Sequence, residues 1–320
     1  MTKILVIKLA ALGDVVLAFA AMARIRKAHP EAQITLLTTP PFAGLATASG
    51  LFDRVETDGR PKRRRDLLAM LLRLRREHYD RVYDLQTSSR SSGYFYALLP
   101  RPPQWSGIAR GASHLHANPD RDRMHTLERQ ADQLKSAGIW PDAPTAPGSA
   151  PPPDLSFMLE SQDGALSPPR FGLSKPFALL IPGASPHRPD KRWPALHYAE
   201  LARALSGQGL DVAIIGGPGE VDLAAEIVAT APGVLNLAGK TDFAQVAALA
   251  AEAAVVIGND TGPTHLAAAA GAPTVVLFSD SSDPALCAPR GGRVSVLQRP
   301  RLQDLDVQTV FTAARSLCAA

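Results

Sequence analysis

The chain has 320 residues, of which 46% are hydrophobic and 20% charged, an ordinary balance for a folded protein of one large or two smaller domains. This excludes a disordered, collagen-like or disulfide-stapled chain, and no apolar run reaches the ~18 residues of a membrane-spanning helix. The net charge of +4 divides unevenly: residues 1–150 carry 22 Lys/Arg against 14 Asp/Glu, and residues 151–320 carry 12 against 16, so the first half is the one expected to face an anionic partner.

In chain order, residues 4–7 are a short apolar run with β-branched members and predict a buried strand. A glycine turn at Gly13 follows, then a helix from about 15 to 29 that stops before Pro30. Its apolar stretch is broken by Arg24 and preceded by a strand, which argues against an export signal and predicts a cytoplasmic location. Residues 33–37 predict a second strand, residues 66–77 a leucine-rich helix, and residues 81–85 a third strand. Six of the thirteen residues from Pro141 to Pro153 are proline, which blocks helix and central strand and predicts an irregular connection over about 141–176, with one strand-like piece at 155–159. Beyond it, residues 177–181, 212–215, 234–237, 254–257 and 274–278 predict strands, with helices over about 194–206, 219–230, 242–252 and 262–270. A last helix, about 305–318, packs on its own domain or crosses back to the first.

Strands alternating with helices of 10–15 residues predict βαβ units and parallel sheets. The expected class is therefore α/β, with two Rossmann-like domains whose sheets face across a cleft. The first covers residues 1–150, a proline-rich linker 151–176, the second domain 177–304, and the C-terminal helix 305–320. Ligands of such sheets bind outside the carboxyl ends of the strands.

Four turns at strand ends carry chemistry. Asp14, beside Gly13, suits either a helix N-cap or a general base. The run from Pro182 through Ser185 to Lys191-Arg192-Trp193-Pro194 puts a hydroxyl and a lysine ahead of a helix expected to hold Pro194 in its first turn, which suits an anion. Glu220, after Gly216-Gly217-Pro218-Gly219, either bonds a ribose or caps its own turn. The segment Gly258-Asn259-Asp260-Thr261-Gly262-Pro263-Thr264-His265 converges polar groups before an alanine-rich helix whose first N–H groups suit phosphate oxygens. A fifth feature, the basic run with Arg60, Lys62, Arg63, Arg64 and Arg65, is either a solvated face or an anion contact; no aromatic residues interleave with it, which argues against nucleic acid. The first turn lacks G-x-G-x-x-G, which argues against a dinucleotide there.

The pieces KILVIKLAALGDVVLA (3–18), IPGASPHRPDKRWP (181–194), IIGGPGE (214–220) and GNDTGPTHLAAAAGAPTVVLF (258–278) resemble glycosyltransferase family 9, the bacterial heptosyltransferases of lipopolysaccharide core assembly. The resemblance implies a GT-B fold with the acceptor on the first domain and a nucleotide-sugar on the second. It implies ADP-heptose as donor and an acidic Kdo–lipid A glycolipid as acceptor, met at the anionic inner face of the cytoplasmic membrane, with inversion at the anomeric carbon. Carried over residue by residue, Asp14 is the base; Lys191 contacts the diphosphate, Ser185 shares its loop, and Glu220 lies near the ribose. Asp260, Thr261, Gly262 and His265 form the nucleotide and phosphate loop. No metal motif or cofactor is implied. Outside the family, a nucleotide-sugar epimerase or a non-catalytic nucleotide-sugar-binding protein remains open.

Overall fold

The computed structural model describes residues 1–159, 166–174 and 176–318. Residues 160–165 and 175, in the expected linker, and 319–320, at the end of the expected C-terminal segment, lie outside the described residues. The chain divides into two compact units, Met1–Pro153 and Asp154–Ala320.

The first unit runs β1 (Lys3–Ile7), α1 (Leu12–Ala28), β2 (Gln33–Leu37), α2 (Ala43–Ala48), β3 (Arg54–Glu56), α3 (Arg64–Glu77), β4 (Arg81–Asp84), α4 (Ser89–Ala97), β5 (Gln104–Gly107), β6 (His114–Leu115) and α5 (Thr126–Ser136). Its six strands pair in the order β3-β2-β1-β4-β5-β6, all parallel. Ile7 stands opposite both Leu37 and Asp84, so the carboxyl ends of the three central strands are level. The sheet is covered on both faces, so its strands read as continuous apolar runs rather than alternating ones. Leu5, Ile7, Val82 and Trp105 pack there against Met70 and Leu74 of α3.

The second unit runs β7 (Phe177–Ile181), α6 (Ala195–Ser206), β8 (Asp211–Ile214), α7 (Val221–Thr230), β9 (Leu235–Asn236), α8 (Phe243–Glu252), β10 (Val255–Asn259), α9 (Gly262–Ala269), β11 (Thr274–Phe278), α10 (Pro284–Cys287), β12 (Val294–Gln298) and α11 (Val307–Cys318). Its order is β12-β11-β10-β7-β8-β9, again all parallel. Counted within each unit, both sheets have the doubly-wound order 3-2-1-4-5-6. Val310 and Ala314 of α11 are buried in this unit's core with Ala178, Leu180, Trp193 and Tyr198.

Several local expectations are corrected. Residues 155–159 do not form a strand; Ser156–Met158 is a short 3-10 helix, and the Met158 and Leu159 N–H groups that a ladder would need are donated locally to the carbonyls of Leu155 and Ser156, both at 2.9 Å. The first helix starts at Leu12, so Gly13 is helical and Asp14 is its third residue rather than an N-cap. Pro194 is the N-cap of α6, one place ahead of the expected first-turn position. Gly258 and Asn259 belong to β10, not to the turn after it. Among the described residues no helix is long and apolar enough to cross a membrane.

Candidate active site

In the second unit, the polar residues after β10 form one cluster around a buried carboxylate. The Lys191 ammonium donates to Asp260 Oδ2 at 2.5 Å, the Ser282 hydroxyl donates to the same oxygen at 2.6 Å, and His265 Nε2 lies 3.4 Å from Oδ1. Burial works against the Asp260 charge, but the hydrogen bonds from His265, Lys191 and Ser282 outweigh it and hold this carboxyl well below the usual carboxylate range. Asp260 is thus a fixed anion that orients three side chains, Lys191, Ser282 and His265.

The cluster is framed by Asn259, fully buried at the end of β10. Its amide donates to the carbonyls of Pro182 at 2.8 Å and Gly183 at 3.3 Å, and its oxygen accepts the Trp193 N–H at 3.2 Å and the Tyr198 hydroxyl at 3.1 Å. One side chain therefore fixes both ends of the 182–193 loop that carries Lys191. The Trp193 indole N–H donates in turn to the Leu305 carbonyl at 2.8 Å. The Thr264 hydroxyl returns to the Asn259 carbonyl at 2.8 Å. A Cβ on Gly258 would lie 2.9 Å from Ile181 Cβ and inside the Thr264 side chain, so only glycine lets α9 start this close to the sheet. Thr261 is the backbone N-cap of α9 and Gly262 its first residue. Pro263 has no N–H, so Thr261 and Gly262 carry the first amide donors of the helix beside the Asp260 cluster.

Glu220 does not join that cluster. Its Oε2 accepts the Gly217 N–H at 2.7 Å, and its side chain folds against Gly183 and Gly216, where an added Cβ would come within 2.7 and 2.8 Å of it. The carboxylate caps its own turn and packs β8's loop on β7's. Ser185 is exposed, and its carbonyl accepts the Arg188 N–H at 2.9 Å. The Arg188 side chain reaches the Ser281 carbonyl.

In the first unit, Asp14 is half-buried in the first turn of α1, where its Oδ2 accepts the Ala11 N–H at 3.2 Å. It lines a polar cavity of about 270 Å³ together with Lys8, Gln86, Arg121, Arg129 and Gln133. Lys8 is only 4% exposed and donates to the Leu85 carbonyl at 3.3 Å. Burial pushes its pKa down, Asp14 and Asp84 oppose this, and Arg129 adds to it. A second cavity of about 600 Å³ is lined by Arg60 and Arg90 with Leu67, Leu71, Ser88 and Tyr94. Of the basic run, Arg60 lines this cavity while Lys62, Arg63 and Arg64 are exposed at the start of α3.

The sequence profile described as glycosyltransferase family 9 (heptosyltransferase) matches residues 67–312. The chain belongs to glycosyltransferase family 9. Lipopolysaccharide heptosyltransferase 2 of Salmonella typhimurium is 31% identical over 188 residues, 55% of this chain and 53% of that protein, so the match spans about half the length of this relative. The structure of the E. coli ADP-heptose lipopolysaccharide heptosyltransferase II is 26% identical and superposes with a TM-score of 0.82 over 99% of both chains. A family 9 glycosyl transferase of Veillonella parvula gives a TM-score of 0.83 at 22% identity, over 99% of this chain and 97% of that one, a likeness of fold alone.

In this family 9 chain, the sequence placed Lys191 and the pair Asp260 and His265 in two separate turns; the structure gathers them around Asp260 and adds two residues the sequence reading did not assign. Ser282 sits 22 residues beyond Asp260, and its only signal was the serine- and aspartate-rich run after β11. Asn259 was part of the recognised segment but carried no assignment; a lone amide at the end of an apolar strand was the signal that could have found it.

Proposed function

We propose that this chain is an inverting glycosyltransferase that moves heptose from ADP-heptose to the acidic inner core of lipopolysaccharide, working at the cytoplasmic face of an anionic membrane. The observation that carries the reading is the Lys191–Asp260–His265 cluster at the N-terminus of α9, a constellation suited to a sugar diphosphate. Family membership and the likeness to heptosyltransferases whose names carry ADP-heptose and lipopolysaccharide support the choice of donor and acceptor.

In the reaction an acceptor hydroxyl attacks the anomeric carbon from the face opposite the diphosphate. The new C–O bond forms as the bond to the diphosphate oxygen breaks, and that oxygen keeps the electron pair. Asp14 takes the hydroxyl proton. Lys191, held by Asp260, and the amide donors of Thr261 and Gly262 meet the charge growing on the diphosphate. Ser185 shares the Lys191 loop; Glu220, whose Oε2 caps Gly217, has only its other carboxylate oxygen to offer the ribose. Arg60, Lys62, Arg63 and Arg64 face the acidic glycolipid.

The test is a donor screen with purified protein and a Kdo-bearing acceptor, scoring nucleotide release from ADP-heptose against UDP- and GDP-sugars. Acceptor-dependent ADP release supports the reading. Turnover of donor without acceptor would mark an epimerase-like or hydrolytic activity instead, and donor binding with no turnover would mark a binding protein. Activity should persist in EDTA; its complete loss, restored by magnesium, would overturn the metal-free account of the leaving diphosphate.

A further inference from the structure

The helix α3 carries an apolar surface that its own unit does not cover. Met70 and Leu74 are its buried anchors. Leu68 and Leu72, one turn apart on the opposite side, are 58% and 43% exposed. At 3.6 residues per turn, Arg64 and Arg75 run along one side of this leucine pair, and Arg65 and Arg76 along the other. The Arg75 guanidinium donates to the carbonyls of Ala97 at 2.8 Å and Leu99 at 3.1 Å, which ties α3 to the end of α4 and brings Leu99, 47% exposed, to the same surface. Arg73, by contrast, turns inward to Glu56 and Asp58.

An apolar stripe edged by guanidinium groups fits a surface that is oily below and anionic above. Leucines enter the acyl boundary while arginines, whose stems lie along apolar surface, keep their heads at lipid phosphates. A solvated helix face would place its charges where the leucines are, and the run of positive charge along both flanks of the stripe complements an anionic lipid surface. Lys62, Arg63 and Arg64 at the start of the helix extend the positive edge. On the neighbouring flank, Leu67 and Leu71 line the cavity that also holds Arg60 and Arg90, so one helix presents both the lipid-facing stripe and the wall of a basic cavity.

We infer that α3, with Leu99 beside it, lies in the interfacial layer of an anionic bilayer, with Leu68 and Leu72 inserted among the acyl chains. This rests on the transferase reading for its purpose, which is to hold the enzyme where a lipid-anchored acceptor is found. The geometry itself needs no donor or acceptor.

The experiment uses the full chain and vesicles of phosphatidylcholine with phosphatidylglycerol, compared with phosphatidylcholine alone, across a salt series. Wild-type protein should bind the anionic vesicles and keep part of its binding at high salt, where the charge contribution is screened but the leucine contribution is not. Leu68→Gln with Leu72→Gln should weaken partitioning by about tenfold or more. It should also abolish the salt-resistant part, with melting temperature and turnover of a de-acylated soluble acceptor unchanged. In a second variant, Leu68→Trp, the indole emission should shift to the blue on vesicle addition and be quenched by lipids brominated on the acyl chain. Unchanged partitioning of the double variant, or an unquenched Trp, overturns the inference. So does conversion of a dimer to a monomer by the same double substitution, which would make the stripe a contact between copies. Vesicle binding is measured without sugar substrates, so its failure leaves the transfer reading standing; absence of ADP release with the soluble acceptor sinks the transfer reading alone.

Discussion

The two units share a strand order, and each ends the fourth strand of its sheet in a buried polar residue, yet they treat the carboxylate there in opposite ways. Asp84 closes β4 with no exposed surface. Its Oδ1 accepts the N–H groups of Gln86 at 3.1 Å and Thr87 at 3.0 Å, but burial dominates and pushes its pKa up to about 6. Asp260, just past the end of β10, is also buried, but three side-chain donors hold it ionised. Topology brings a carboxyl to the strand end; the neighbours decide how strongly it holds its proton. The first unit keeps a carboxyl whose pKa burial raises, with basic side chains nearby, while the second keeps a fixed negative charge that holds a lysine in place.

This contrast can be broken in several places. The largest effect belongs to Asp14: Asp14→Asn should cut turnover by roughly 10²–10⁴-fold, the usual worth of a general base, while ADP affinity by calorimetry stays near that of wild type. Normal turnover would return Asp14 to a purely helix-capping role through its bond to the Ala11 N–H.

Asp260→Asn should cost about 3–5 kcal/mol of stability in denaturant unfolding, because it strands Lys191 and His265 without their anion. If stability barely moves, the cluster does not organise the second unit.

A pH series separates the two carboxyls. The folded-state pKa of Asp84 lies above its unfolded value of 3.8, so the folded protein holds this proton more tightly. Its contribution to stability is fully present below about pH 4 and is lost as pH rises through about 6, a change of about 3 kcal/mol. Asp84→Asn should flatten that decline between pH 4 and 7. Asp260 has the opposite sign: its pKa is depressed, so its contribution is present above 3.8 and fades only in strong acid. A variant Asp84→Asn with an unaltered pH profile would show that Asp84 is ionised at little cost.

The smallest expected effect is on ligand binding. Lys191→Ala removes one charged contact to a diphosphate, worth about 1.5–3 kcal/mol. ADP affinity should fall by roughly ten- to a hundredfold with the fold intact, since Lys191 is only half-buried. Unchanged ADP binding would leave the α9 amides as the whole anion site.

Much of this was legible in the sequence. Apolar runs of four or five residues separated by amphipathic stretches announce buried parallel strands and covering helices, because both faces of such a sheet are enclosed and the pattern is local. The strands β1, β2, β4, β7, β8, β10 and β11 follow that rule. What stayed hidden were the edge strands β3, β6 and β12, which are short or only partly buried and so carry little apolar signal, along with β5, where Gln104, Ser106 and Gly107 flank a single large apolar residue, Trp105.

The site divides in the same way. The sequence by itself determined that Lys191, Asp260 and His265 lie in the segments that lead from a strand end into a helix, because a strand followed by a glycine-bearing polar turn and a helix states its geometry within about ten residues. Only the tertiary structure decided that Ser282 completes the Asp260 cluster. It also made Asn259 the strut of the Lys191 loop and drove the pKa values of Asp84 and Asp260 apart. Hydrogen bonds across 22 to 77 residues and the degree of burial depend on which loops the sheet order makes neighbours. That order is a property of the packed sheet, not of any single stretch of chain.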